Sequence, residues 1–134
     1  MSTEKTLEVI RNLFAKISSS QSPESISESF CPNVDWSIPG APDIAPWVGE
    51  RKGRQAVAAF YRDFGQYLQP ISFDITTVMA EHERGVALGS LECKVLRTGK
   101  TITSEFAIEF EVTDDLITRY RFFENSYGVA IAAQ

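Results

Sequence analysis

The stretch Pro70-Ile71-Ser72-Phe73-Asp74-Ile75-Thr76-Thr77-Val78-Met79 marks where the chain changes character. Before it, apolar residues recur at the three-and-four spacing of helices; after it they alternate. Ile71, Phe73, Ile75, Thr77 and Met79 are expected to share one face of a long strand. Three more strands follow, Val86 to Arg97, Ile102 to Thr113 and Leu116 to Tyr127. Thr98-Gly99-Lys100-Thr101 and Asp114-Asp115 are short turns between them, which makes neighbouring strands antiparallel.

Upstream, Leu7, Ile10, Phe14 and Ile17 lie on one stripe of a helix running from about Thr3 to Ser18. Ser22-Pro23 is an N-cap followed by proline at the first helical position, so a short second helix follows, presenting Ile26 and Phe30. Val34, Trp36 and Ile38 alternate with Asp35 and Ser37 as a short strand. Pro39 to Gly53 is expected to be a long loop around Trp47, of the kind that walls a site. Val57, Phe60, Tyr61, Phe64 and Leu68 stripe a third helix over Arg54 to Leu68. The fold class is therefore α+β, one domain over residues 1–134. Three helices pack on a strongly curved, mixed but mainly antiparallel sheet, shaped as a cone around an apolar pocket.

The turns suggest registers. With Asp114 and Asp115 as the loop, Phe106 faces Phe123, Ile108 faces Arg121 and Phe110 faces Arg119. With Gly99 and Lys100 as the loop, Cys93 lies beside Phe106 and Leu91 beside Ile108. The concave face would then carry Phe106, Ile108, Phe110, Phe123 and Asn125. Tyr120, Phe122 and Glu124 would lie on the outer face, where the two aromatics suit a homodimer interface.

Composition narrows the partners. The chain has 134 residues, 43% hydrophobic and 23% charged, with a formal net charge of −5. An acidic chain lacks the basic stripe that nucleic acid or an anionic membrane surface requires, so neither partner is expected. Cys31 and Cys93 show no metal spacing, and no cofactor motif occurs, so no metal and no cofactor are expected. No leader-like or membrane-spanning apolar run is present, and a cytoplasmic protein is expected.

Two blocks carry a family resemblance. Gly53-Arg54-Gln55-Ala56-Val57 with Phe60-Tyr61 opens the third helix, and Asp114-Asp115-Leu116-Ile117-Thr118-Arg119-Tyr120-Arg121-Phe122-Phe123-Glu124-Asn125 closes the sheet. With the element order, they resemble the nuclear transport factor 2-like superfamily, in its SnoaL-like and ketosteroid-isomerase-like branch. The superfamily hosts isomerases, cyclases, dehydratases, epoxide hydrolases and non-enzymes, so the resemblance implies a fold more than a function.

The ketosteroid-isomerase resemblance implies a base at Ile38, a tyrosine at Leu13 or Phe14, and a protonated acid at Ile108; that enzyme is a worked case of carboxyl tuning. The SnoaL resemblance implies an acid at Asn125 and a histidine at Ile108. None of these groups is present. His82, between Glu81 and Glu83, is expected to be a solvated turn residue.

The expected pocket is lined by Trp36, Ile38, Trp47, Tyr61, Phe106, Ile108, Arg121, Phe123 and Asn125. Each of the aromatics is equally explained by core packing. Arg121 with Asn125 would hold a ligand oxygen, unless Arg121 pairs with Asp35. Asp35, Tyr61 and Tyr127 are the remaining candidates for chemistry. The expected function is binding of a small hydrophobic molecule without the family's acid–base groups. The alternative is an isomerase, cyclase or dehydratase acting on a small hydrophobic carbonyl compound with a non-standard group.

Overall fold

Ser2 begins the first helix: its hydroxyl accepts the Lys5 amide at 3.1 Å and satisfies one of the amides a helix start leaves free. The computed structural model describes residues 2–134. Helix α1 covers Thr3–Ser18 and buries Val9, Ile10 and Leu13. Ser22 caps α2 (Pro23–Ser27) in the same way, through the Ser25 amide at 3.1 Å. Strand β1 is Phe30–Ile38, longer at its start than alternation suggested, with Phe30 as its first residue rather than a helical one.

The Pro39–Gly53 segment is not wholly loop. It contains β2, Gly49–Lys52, paired antiparallel with β1. Its Glu50-Arg51-Lys52 sequence lacks apolar alternation because an edge strand of this length buries little. Helix α3 spans Arg54–Tyr67, and the sheet continues with β3 (Leu68–Glu81), β4 (Arg84–Val95), β5 (Thr101–Thr113) and β6 (Leu116–Phe123). The chain then turns into a fourth helix, α4 (Ser126–Ala133), where the sequence suggested that the last strand ran on.

The six strands are ordered β2-β1-β6-β5-β4-β3. All pairs are antiparallel except β1 with β6, so the sheet is mixed, curled and unclosed. The helices α1 and α3 pack into its concave side, with Trp36, Phe30, Phe110 and Ile108 fully buried beneath them. Close packing reaches the backbone at Gly89 of β4: a Cβ there would lie 2.1 Å from the Asp74 carbonyl and 2.6 Å from the Phe106 ring.

Three irregularities correct the expected faces. In β3, the partners jump from Pro70↔Cys93 to Ser72↔Glu92 and from Ile75↔Gly89 to Thr77↔Leu88. Ile71 and Thr76 are therefore extra residues, and the residues from 71 to 79 do not share one face. Ile71 and Met79 are 56% and 50% exposed, while Phe73 and Ile75 border the concave interior, Phe73 with 43% of its surface still exposed. Between β4 and β5, Cys93 pairs with Ile102 and Gly89 with Phe106, four residues from the expected register. The cause is a longer turn: Val95 donates to Lys100 O at 2.8 Å, leaving four residues in the loop. A shift by an even number keeps the faces, so Phe106, Ile108 and Phe110 still point to the core.

The third irregularity matters most. Asp114 and Asp115 do form the two-residue turn, both at positive φ, and Thr113 pairs with Leu116. Two residues on, Val112 pairs with Ile117 but Glu111 pairs with Arg119. Thr118 is one residue too many, and its hydroxyl donates to the Glu111 carbonyl at 3.2 Å. An odd slip exchanges the faces for the rest of the strand. Phe110 therefore faces Tyr120 and Ile108 faces Phe122. Tyr120 and Phe122 are 5% and 7% exposed and point inward, so they form no outer dimer surface.

Candidate functional site

Inside the curl lies a cavity of about 630 Å³, a size that suits a small organic molecule. Helical spacing supplies one wall: Phe14 and Ile17 from α1, Phe60 and Phe64 from α3. Phe73, Leu91 and Phe122 face them from the sheet, and Trp47 and Ile38 close the end formed by β1 and the loop after it. Phe106 does not touch the space. Its ring is stacked between Phe73, 4.9 Å away at 12°, and Phe122, 5.0 Å away at 25°, and it fixes both.

The expected lining thus separates into three groups. Ile38, Trp47 and Tyr61 are on the wall. Trp36, Phe106 and Ile108 are core residues behind it; Trp36 stacks on Tyr120 at 5.2 Å and 4°. Arg121, Phe123 and Asn125 are elsewhere. Arg121 donates to Asp35 Oδ2 at 2.9 Å on the outer face of the sheet. Phe123 is 47% exposed. Asn125 caps α4, accepting the Gly128 amide at 3.0 Å. The Thr118 bulge is the physical cause for Arg121 and Phe123, and the turn into α4 is the cause for Asn125.

The candidates for chemistry sort in the same way. Asp35 is held below the usual carboxylate range by its hydrogen bond from Arg121, and it lies outside the cavity, so it is no base for a pocketed ligand. Tyr127 is 76% exposed on α4. His82 is an exposed turn residue whose amide donates to Thr3 Oγ1 at 3.0 Å. No cluster of metal-ligating side chains occurs among the described residues. Tyr61 remains.

The inward face of β6 adds what sequence reasoning missed. Tyr120 lines the cavity beside Tyr61. Burial raises both phenols, so both stay neutral. Glu124, just beyond β6, also lines the cavity. Neither a hydrogen bond nor an ion pair to another described residue stabilises its charge, and burial alone pushes it up to about 7. Cys93 is pushed up to about 11, first by burial and then by the carboxylates of Glu124 and Glu92. The cavity therefore holds one carboxyl near neutrality and a pair of phenol donors. The signal was in the sequence: in Arg119-Tyr120-Arg121-Phe122 the charged and apolar residues alternate, and apolar side chains belong inside.

Residues 10–120 match the model of the SnoaL-like domain, more than four-fifths of the chain. The chain belongs to the SnoaL-like family. No curated protein sequence matches it. Solved structures of this SnoaL-like fold are similar throughout. An NTF2-like protein from Burkholderia xenovorans LB400 is 21% identical, with 100% of this chain and 99% of that one covered at a TM-score of 0.88. TerC, crystallised with polyporic acid, is 20% identical over 96% and 98% at 0.82. An LEH-like epoxide hydrolase from M. tuberculosis is 12% identical over 97% and 92% at 0.72. At these identities the likeness speaks for the fold. No helix among the described residues is long and apolar enough to cross a membrane.

Proposed function

We propose that this SnoaL-like protein binds a small, largely apolar carbonyl compound in its cavity and that Glu124 moves a proton on it. The observation that carries this is Glu124: a carboxyl without a partner, half-buried among aromatic rings and pushed up to about 7 by that burial. A group so poised is both a competent base and a competent acid near neutral pH.

The proton balance is simple. The Glu124 carboxylate takes a proton from the carbon beside the ligand carbonyl, and negative charge develops on the carbonyl oxygen. Tyr61 and Tyr120 bring two phenol O–H groups to the wall, donors available to that oxygen. The proton then returns from Glu124 to another atom of the ligand. Isomerisation, ring closure and dehydration all share this step. The structures of TerC with polyporic acid and of an epoxide hydrolase support a ligand-holding use of the same fold.

Ile38 and Ile108 favour a second reading, pure binding, because the resemblance places acid–base groups at those two positions. One experiment separates the two. Aromatic and alicyclic ketones are incubated with the protein in D₂O, and exchange of the hydrogens beside the carbonyl is followed by NMR. Replacing Glu124 with Gln should slow exchange by roughly 10²–10⁴-fold while leaving ketone binding in place. Exchange by the Gln variant at the original rate sinks the proton-transfer reading and leaves binding alone.

A further inference from the structure

The cavity has an electrostatic sign. Its only charged lining residues are Glu92 and Glu124, and no Lys, Arg or His lines it among the described residues. The sheet's cations have gone the other way. Arg84, Arg119 and Arg121 stand on the outer face, paired with Glu111, Glu109 and Asp35. Arg51 stacks on the Trp36 and Phe60 rings at 5.9 and 5.5 Å, yet it is not part of the lining, and its guanidinium donates to the Ala56 carbonyl at 3.1 Å.

We infer that the ligand carries no negative charge: the cavity accepts uncharged apolar compounds and rejects carboxylates and phosphate-bearing conjugates of the same skeleton. This rests on the cavity being the ligand site. An anion entering it would lose its water, find no cation, and face the Glu124 carboxyl. The groups around Glu124 offer no relief. Glu92 and Cys93 on β4 and Tyr120 on β6 are acidic or neutral, as is Tyr61 on α3, while α1, β3 and β5 contribute only uncharged side chains to the lining. Neutral ligands still have polar handles, the phenol pair and the Glu124 carboxyl itself.

The sign of the cavity also limits the preceding chemistry. The reaction that supplies this substrate must leave it uncharged, as a free ketone, aldehyde, quinone or ester, and not as an acid or a phosphate-bearing thioester.

Matched probes test this without any turnover. 2-Acetylnaphthalene and 2-naphthoate share a skeleton and differ in charge. Their binding is read by quenching of tryptophan fluorescence, since Trp47 lines the cavity. At about pH 8, where Glu124 is mostly ionised, naphthoate should bind at least roughly 30-fold more weakly than the ketone. The gap should narrow at about pH 5.5, where Glu124 is mostly protonated; Glu124→Gln should narrow it at about pH 8 and leave it unchanged at about pH 5.5. Equal binding of the two probes to the unaltered protein overturns the inference while leaving the cavity a ligand site. A gap that Glu124→Gln does not narrow at about pH 8 overturns it as well, because the charge of the wall is then not its cause. If neither probe binds, the cavity is not a site for such skeletons, and the inference falls with the reading it rests on.

Discussion

The Glu124 carboxyl should make the stability of the whole protein fall as pH rises. Its folded value is about 7, against 4.5 for an unhindered glutamate. Between those values the folded chain holds a proton that the unfolded chain has released. Stability then decreases with pH across that window and levels off above it. The upward shift caps the effect at about 3 kcal/mol, most of it expressed between pH 5 and pH 8. Glutamine mimics the protonated acid at every pH. Urea unfolding of the original protein and of Glu124→Gln, at pH 5, 6, 7 and 8, isolates the effect as a difference, so that other titrating groups cancel. The Gln variant should gain steadily, most of it between pH 5 and pH 7. A difference that stays flat over the whole range would falsify the claim that Glu124 is buried without a partner, and the proposed chemistry would lose its base.

Deleting Thr118 should remove the bulge and leave Ile117 opposite Val112 and Arg119 opposite Glu111, so both faces of β6 are kept; cooperative melting by circular dichroism and probe binding are expected to persist. Thr118→Ala keeps the residue count and loses only the hydrogen bond to Glu111, for about 1 kcal/mol in urea unfolding. Gly89→Ala places a methyl against the Asp74 carbonyl and the Phe106 ring and should cost roughly 2–3 kcal/mol, seen as a lower Tm. Asp35→Asn breaks the pair with Arg121 on the solvent side, where Asp35 is 52% exposed. It should cost under ~1 kcal/mol and leave probe binding unchanged. An effect of Asp35→Asn on binding would contradict its placement outside the cavity.

The sequence carried the architecture because the strongest signals are local. The change of period at Pro70, the Ser22-Pro23 cap and the Asp114-Asp115 turn are each decided by their own few residues. β2 was missed because Glu50-Arg51-Lys52 buries too little to impose alternation. α4 was missed because Tyr127 to Ala133 is almost uniformly apolar or small, which fits a strand as well as a helix. The site divides by the same logic. Tyr61 lies on a helix, Trp47 on the loop after β1, and Ile38 beyond the irregular pairing between Phe30 and Asp35, so pattern alone brought them to the wall. On β6, counting from the turn sent Arg121 inward and Glu124 outward. The bulge that reverses them has no motif of its own, only the misfit of two arginines opposite Ile108 and Phe110. Asn125 looked like a replaced acid because its neighbour, Glu124, was assigned to the wrong face.

The Thr118 bulge gives β6 a kind of double entry. The strand carries two interleaved inventories of side chains, one aromatic and acidic, the other cationic, and its pairing with β5 beyond the bulge decides which of them a ligand meets. The cationic set is already engaged with Glu109 and Asp35, so the two inventories cannot be traded by sliding the strand. Change in what this cavity accepts has to come by substitution at 120, 122 and 124, one position at a time. A one-residue insertion or deletion beyond Arg119 would turn the cationic set inward, whereas loss of Thr118 itself would leave both sets where they are.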